Sequence, residues 1–320
     1  MKALLKTLTA LIAAGFASLS MAQSFPSHPL RIVLGFPPGG AIDIITRVIA
    51  PKMATDLGQP VVVENKPGAG GVIGMQTVAR AEPDGYTLFM GTMGNFSITP
   101  VLVKDLPYNV ARDFTPVTEV ASAGFVLYVN PELPIKSVAD LVAYAKGSPG
   151  TTNFSSSGNG GLPHMAGEMF NAAAGVRMTH VPYKGSSPSV NDVVAGQVQL
   201  TFESVAVGVP YVKAGRLRAV ATTGSQRLEL LPDVPAIAET IPGFNVTNWF
   251  GLAVPAGTPM DRVDRLQQSV AKALKQPEVI ATLASLGVDP VGDTPAHFGA
   301  YINEELARWR KLITDADIKM

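Results

Sequence analysis

The sequence has 320 residues, balances 25 Lys and Arg against 25 Asp and Glu, and is 47% hydrophobic with no cysteine. The missing cysteines exclude disulfides, thiol nucleophiles and thiolate metal ligands, and the even charge offers no footprint for nucleic acid or an anionic membrane surface. A chain of this length exceeds one ordinary core and suits two domains.

The chain opens with Lys2 and Lys6, an apolar stretch from Ala10 to Leu19, and the small-x-small site Ser20-Met21-Ala22. That order predicts a secretory signal peptide over residues 1–22, cut after Ala22. Its apolar core is too short to span a bilayer, so a soluble exported protein is expected. Losing Lys2 and Lys6 leaves a slight excess of acid.

The first third then repeats strand, glycine turn, helix. LRIVLGF predicts a strand, Ile42 to Leu57 a helix with apolar Ile45, Val48, Ile49 and Met53, PVVVEN a strand, Gly71 to Ala81 a helix, and GYTLFMG a third strand. The theme returns in the middle. VADLVAYAKG, LPHMAGEMFNAAAG, VNDVVAG and VPYVKAG predict helices, interleaved with strands in TTNFSSSG, MTHVPYKG, QVQLTFES and RLRAVATTG. From about Thr258 the chain is helical with Pro-rich joints and has no sheet of its own.

Strands apolar on both faces and separated by helices indicate α/β architecture with parallel sheets. The helical tail must cover an existing sheet, most simply the first, which makes the first domain discontinuous. The extended segments ASAGFVLYVN and FNVTNWFGLAVP then read as two hinge strands. The expectation is a clamshell, with lobe 1 over 23–123 and 248–320 and lobe 2 over 124–247. Ligands of such sheets bind where strands end, in the cleft.

Three strand ends carry polar, glycine-rich loops: GFPPGGAID (Gly35 to Asp43), MGTMGN (Met90 to Asn95) and FSSSGNGGLPH (Phe154 to His164). Glycines let backbone amides approach a ligand, and a helix that follows turns its partly positive end toward it. Each loop alone fits a tight turn equally well. Together they favour a site for an anion such as a carboxylate, held without lysine or arginine.

The run from SHPLRIVLGFPPGGAID through GQPVVVENKPGAGGVIGMQTVARAEPDGYTLFMGT resembles the Bug family, extracytoplasmic receptors of tripartite tricarboxylate transporters. NFSSSGNGGLPHMAGEMF, HVPYKGSSPSVNDVVAGQVQLTFES, LPDVPAIAE and WFGLAVPAGTP extend the resemblance over nearly the whole chain after the signal. It implies a type II periplasmic binding-protein fold that captures a small dicarboxylate, acidic amino acid or aromatic acid. It further implies delivery to a membrane permease of large and small subunits, or presentation to a signalling partner. The receptor is expected to be monomeric and to need no cofactor.

Carried over residue by residue, the resemblance assigns Phe36, Pro38, Gly39, Gly40 and Asp43 to the ligand, with Thr92 and Gly94 from the second loop. Lobe 2 supplies Ser156, Ser157, Gly158, His164, Tyr183 and Glu203. The chain departs from the family at two places. Ile42 stands where a Ser or Thr is usual, and Glu203, after Thr201-Phe202, stands where an Asp follows Met-Phe. One wall becomes more apolar, and a carboxylate reaches one methylene further into the cleft.

Several of these residues have simpler uses. Asp43 suits a first helical turn by its charge alone and would meet an anionic ligand through water. His164 can brace the serine loop, His180 lies within a strand, and Lys184 ends that strand where a surface position is ordinary. Trp249 and Phe250 are expected to pack on the return strand. A hydrolase using Ser156, His164 and Asp43 is disfavoured because no G-x-S-x-G occurs, and the four scattered histidines lack metal spacing. The stretch GAGGVIG, Gly68 to Gly74, follows the second strand with the wrong spacing for a dinucleotide and reads as a turn.

Overall fold

The computed structural model describes residues 25–315 except Glu229 and Leu286. The expected signal peptide and its cleavage site lie outside the described residues. In chain order the elements are β1 (Leu30–Leu34), α1 (Ala41–Leu57), β2 (Val61–Asn65), α2 (Val72–Ala79), β3 (Thr87–Thr92), α3 (Thr99–Leu102), α4 (Val110–Asp113) and β4 (Phe114–Ala123). There follow β5 (Phe125–Val129), α5 (Val138–Gly147), β6 (Asn153–Ser156), α6 (Leu162–Ala174), β7 (Thr179–Pro182), α7 (Ser186–Val194), β8 (Leu200–Ser204), α8 (Val205–Lys213) and β9 (Arg218–Thr222). The chain ends with β10 (Asn248–Pro255), α9 (Met260–Leu274), α10 (Pro277–Ser285), β11 (Val288–Pro290) and α11 (Pro295–Asp315).

Local patterning explains the main elements. In α1, Ile42, Ile45, Ile49 and Met53 recur every three or four residues and are buried on one stripe. Gly58 ends the helix in the left-handed region at φ 70°, donating its N–H back to Ala54 O. α6 ends in the same way at Gly175. Strand β5 is buried at all five positions, as a central strand covered on both faces must be.

The strands form two sheets, ordered β11-β4-β10-β3-β1-β2 and β7-β6-β8-β5-β9. The expected parallel sheets are in fact mixed. β1 pairs in parallel with β2 and β3, but β10 runs antiparallel to both β3 and β4. In the second sheet β6 is parallel to β7 and β8, whereas β5 is antiparallel to β8 and β9. The antiparallel members are the strands next to the crossovers, which run into each sheet from the other. The tail also differs from its expected all-helical reading: the short β11 closes the edge of the first sheet against β4. α11 packs on β4, and α9 on α1 and β4.

Two predicted helices begin earlier than the periodicity suggests. The helix expected in VNDVVAG starts at Ser186, and the one expected in VPYVKAG starts at Val205, directly after β8. The helix expected from Gly71 is preceded by a separate short turn at Ala69–Gly71 and starts at Val72.

Gly124 carries the chain from the first sheet to the second, where an added Cβ would lie 2.5 Å from the Leu228 side chain. Across the cleft the lobes touch through glycines. A Cβ on Gly70 would lie 2.7 Å from Asn159 O, one on Gly94 3.2 Å from Gly160 O, and one on Gly185 3.2 Å from the Pro37 ring. The two lobes are therefore in contact across the cleft.

Candidate functional site

A narrow cavity of about 50 Å³ lies where the two sheets' strand ends face each other. Its walls come from the Phe36–Ile42 loop and Thr92 on one side, Ser157, Gly161–Pro163, Ser186 and Glu203 on the other, and Phe125, Asn248 and Phe250 from the crossing strands. No lysine, arginine or histidine lines it. At this size, opposite walls are within reach of one small ligand.

Three helices begin at this cavity: α1 after Gly40, α6 after Gly161 and α7 after Gly185. The first backbone N–H groups of any helix lack an intrahelical acceptor, and the macrodipole makes that end partly positive. None of these three starts is capped by a hydrogen bond from its own N-cap side chain. The cavity thus sits amid converging positive ends that can take an anion without a cationic side chain.

Of the residues assigned from sequence, Phe36, Gly40, Thr92, Ser157 and Glu203 line this cavity. Gly158 and Tyr183 instead border a wider neighbouring cavity of about 810 Å³, which shares Phe36, Pro37 and Ser157. Pro38 and Gly39 are exposed and line neither, Pro37 taking the wall position. Gly94 sits at the contact between lobes.

Asp43 is buried and lines neither cavity; donors from its loop, from α1 and from β2 occupy its oxygens. Oδ2 accepts from Gly39 N at 3.2 Å, and Oδ1 from Arg47 Nε at 3.0 Å and Asn65 Nδ2 at 3.1 Å. Burial pushes its pKa up, but the bonds from Arg47, Asn65 and Gly39 outweigh this, and the carboxyl stays below its usual range. Asn65 also donates to Phe36 O, so this cluster fixes the loop from behind.

Ser156 and His164 also lie behind the wall. Ser156 Oγ accepts from Gly158 N at 3.1 Å and lies 2.6 Å from His180 Nε2. His164 Nδ1 accepts from Gly160 N at 3.2 Å, and the His164 and His180 rings stack with centroids 3.8 Å apart. Burial, then the neighbouring His164, pulls the His180 pKa down to about 3. These side chains shape the serine loop. Tyr183 donates its hydroxyl to Asp192, and burial, reinforced by that bond, pushes its pKa to about 12.

Thr92 donates to Asn95 Oδ1 through both its backbone N–H and its hydroxyl, and Asn95 Nδ2 holds Gly70 O. Glu203 is 2% exposed. Burial pushes its pKa up, against the bond from Ser204 N and the hydroxyls of Ser186 and Ser204. Among the described residues no group of three side chains is placed to hold a metal ion, and no helix is long and apolar enough to cross a membrane.

Residues 45–318 match the model of the TctC family, described as the tripartite tricarboxylate transporter family receptor. The chain belongs to that family. It is 34% identical to protein BugT of Bordetella pertussis over 96% of this chain and 95% of BugT. The TctC-type fold is matched by the Rhodopseudomonas palustris protein Rpa4515 with adipate, at a TM-score of 0.90 and 34% identity over 92% of this chain and 99% of that one. MatC from the same organism, with bound malate, matches at 0.87 and 32% over 90% of this chain and all of MatC. The family is one of solute-binding receptors, not of enzymes.

Within this TctC receptor, sequence reasoning missed Pro37, Phe125, Gly161, Leu162, Pro163, Ser186 and Asn248 as wall residues and assigned Phe250 to packing. Alternation would have separated the return strand. Trp249 points into the core, stacked on Phe96 and edge-on to Phe298, while Asn248 and Phe250 share the opposite, cleft-facing side. Ser186 went unseen because its helix was expected to begin later.

Proposed function

We propose that this receptor captures a small carboxylate between its lobes, in the periplasm, and delivers it to a two-component membrane permease. The division into lobes falls at Gly124 and near Asn248. The observation that carries the reading is the convergence of three helix starts, none with a side-chain cap, on a cavity with no cationic side chain. Hydrogen bonds to a charged oxygen contribute about 1.5–3 kcal/mol each, so a few suffice for micromolar affinity after the costs of association and closure. The adipate and malate bound to the two structural neighbours support the ligand class. The predicted export signal and the family membership support the compartment and the permease.

A thermal-shift screen over mono-, di- and aromatic carboxylates tests the proposal, with the matching amides as controls. Raised melting temperatures for acids and none for amides are expected. Equal shifts for an acid and its amide would remove the anion-binding reading.

A further inference from the structure

Two side chains hold the Gly158–Gly161 turn from behind: Ser156 Oγ accepts from Gly158 N, and His164 Nδ1 accepts from Gly160 N at 3.2 Å. His164 is 4% exposed. Because Nδ1 accepts, the one proton of the neutral ring sits on Nε2, which lies 3.7 Å from Glu168 Oε1. The His180 ring lies nearly parallel at 3.8 Å, and Phe154 stacks on both. At the cleft the same turn serves twice. Gly161 and the adjoining Ser157 line the narrow cavity, while Asn159 O and Gly160 O meet Gly70 and Gly94 of the other lobe.

A second proton on the His164 ring can go only to Nδ1, where it takes the lone pair that Gly160 N–H uses and sets two N–H groups against each other. The charged groups around the ring are few. α6, which packs on β6, β7 and β8, carries Glu168 as its single charged residue besides His164, and that carboxylate favours a cation on the ring. β6 and the turn have no charged side chain. β8 brings Glu203, which is turned to Ser204 N, and β7 brings His180, which burial and the His164 ring hold neutral. Two cations stacked this closely would repel, so the pair takes up one proton.

We propose that His164 is a positioning residue and a proton-operated latch: a proton bound at Nδ1 expels Gly160 N–H and frees the turn, withdrawing a cavity wall and a contact between the lobes together. Neutral His164 holds the site formed, and acid lets it go. The latch acts on the loop whatever the ligand's chemistry, so it can fail while the carboxylate reading stands, and the reverse.

Amide hydrogen exchange and histidine-ring NMR on the ligand-free mature protein test this from pH about 8 to about 5. After correction for intrinsic exchange, protection of the Gly158–Gly161 amides should fall in step with the His164 ring titration, by at most about tenfold per pH unit, the limit for one proton. His164→Asn puts an amide oxygen, an acceptor that takes no proton, near the place of Nδ1, and should keep the protection level across the range. His164→Leu has no acceptor and should leave the turn poorly protected at every pH. Glu168→Gln should move the fall to lower pH. A His164 ring that takes no proton above about pH 5, protection that stays level while the ring titrates, or a fall that survives His164→Asn would each overturn the inference. Should His164→Asn fail to fold, as judged by melting, the wild-type comparison of amides with ring still decides.

Discussion

The carboxylate of Asp43 is occupied by three donors of its own lobe, which places it behind the ligand loop as a brace. Asp43→Ala should lower stability by about 1–3 kcal/mol in urea unfolding, since it leaves Gly39 N and Asn65 without their acceptor. It should also weaken ligand binding; unchanged affinity would show that the loop keeps its shape alone. A second residue-scale prediction concerns acid. The His180 pKa, about 3 in the folded protein against an ordinary 6.5, means that the unfolded chain takes up a proton first as pH falls. The stability that this group contributes is then full above pH about 6.5 and declines toward pH 3. His180→Gln, which keeps a partner for Ser156 without titrating there, should flatten that decline in melting temperatures; parallel curves would count against it. The chemical character of such residues was legible in the sequence, and their facing was not. Asp43 and Ser156 stand in the right loops, yet only tertiary contacts decide that they turn away from the cavity.

Strand β10 shows how one element serves both core and site. Trp249 is buried against Phe96, Phe298 and Tyr301, while Phe250 on the other side borders the cavity. Trp249→Ala should cost about 3–5 kcal/mol of stability, as large buried aromatics do. Phe250→Ala should act mainly on ligand affinity, and equal losses of stability for the two would contradict this division. Long periodic elements such as α1 and the buried strands were legible because burial imposes a repeat on the sequence. The starts of α7 and α8 were not. Ser186-Ser187-Pro188-Ser189 resembles a turn and Val205-Ala206-Val207-Gly208 a strand, and both become helical through packing on the second sheet. β11 has three residues, too short for any period to show, and exists because the edge of β4 lies beside it.

At the scale of the whole molecule the two-lobed layout was legible from the return of strand and helix after the first crossing, whereas strand direction was not. Sequence patterns record burial on both faces, which a central antiparallel strand shares with a parallel one. How the lobes meet gives the last prediction. Gly94 has no unusual φ to protect, but a Cβ there would press on Gly160 O and Gly161 Cα of the opposite lobe at 3.2 and 3.3 Å. Gly94→Ala should therefore disfavour the shut form, lowering affinity by about tenfold with little change in ligand-free melting. Small-angle scattering should show less compaction on saturation with ligand, and full compaction at wild-type affinity would refute the contact's role. Because Gly70 and Gly94 meet main-chain atoms of Asn159 and Gly160, the jaws fit together with little reference to side-chain identity. Divergence can then exchange Ile42, Ser186, Glu203, Asn248 or Phe250 one at a time, changing what is carried while the gesture of closing is inherited intact.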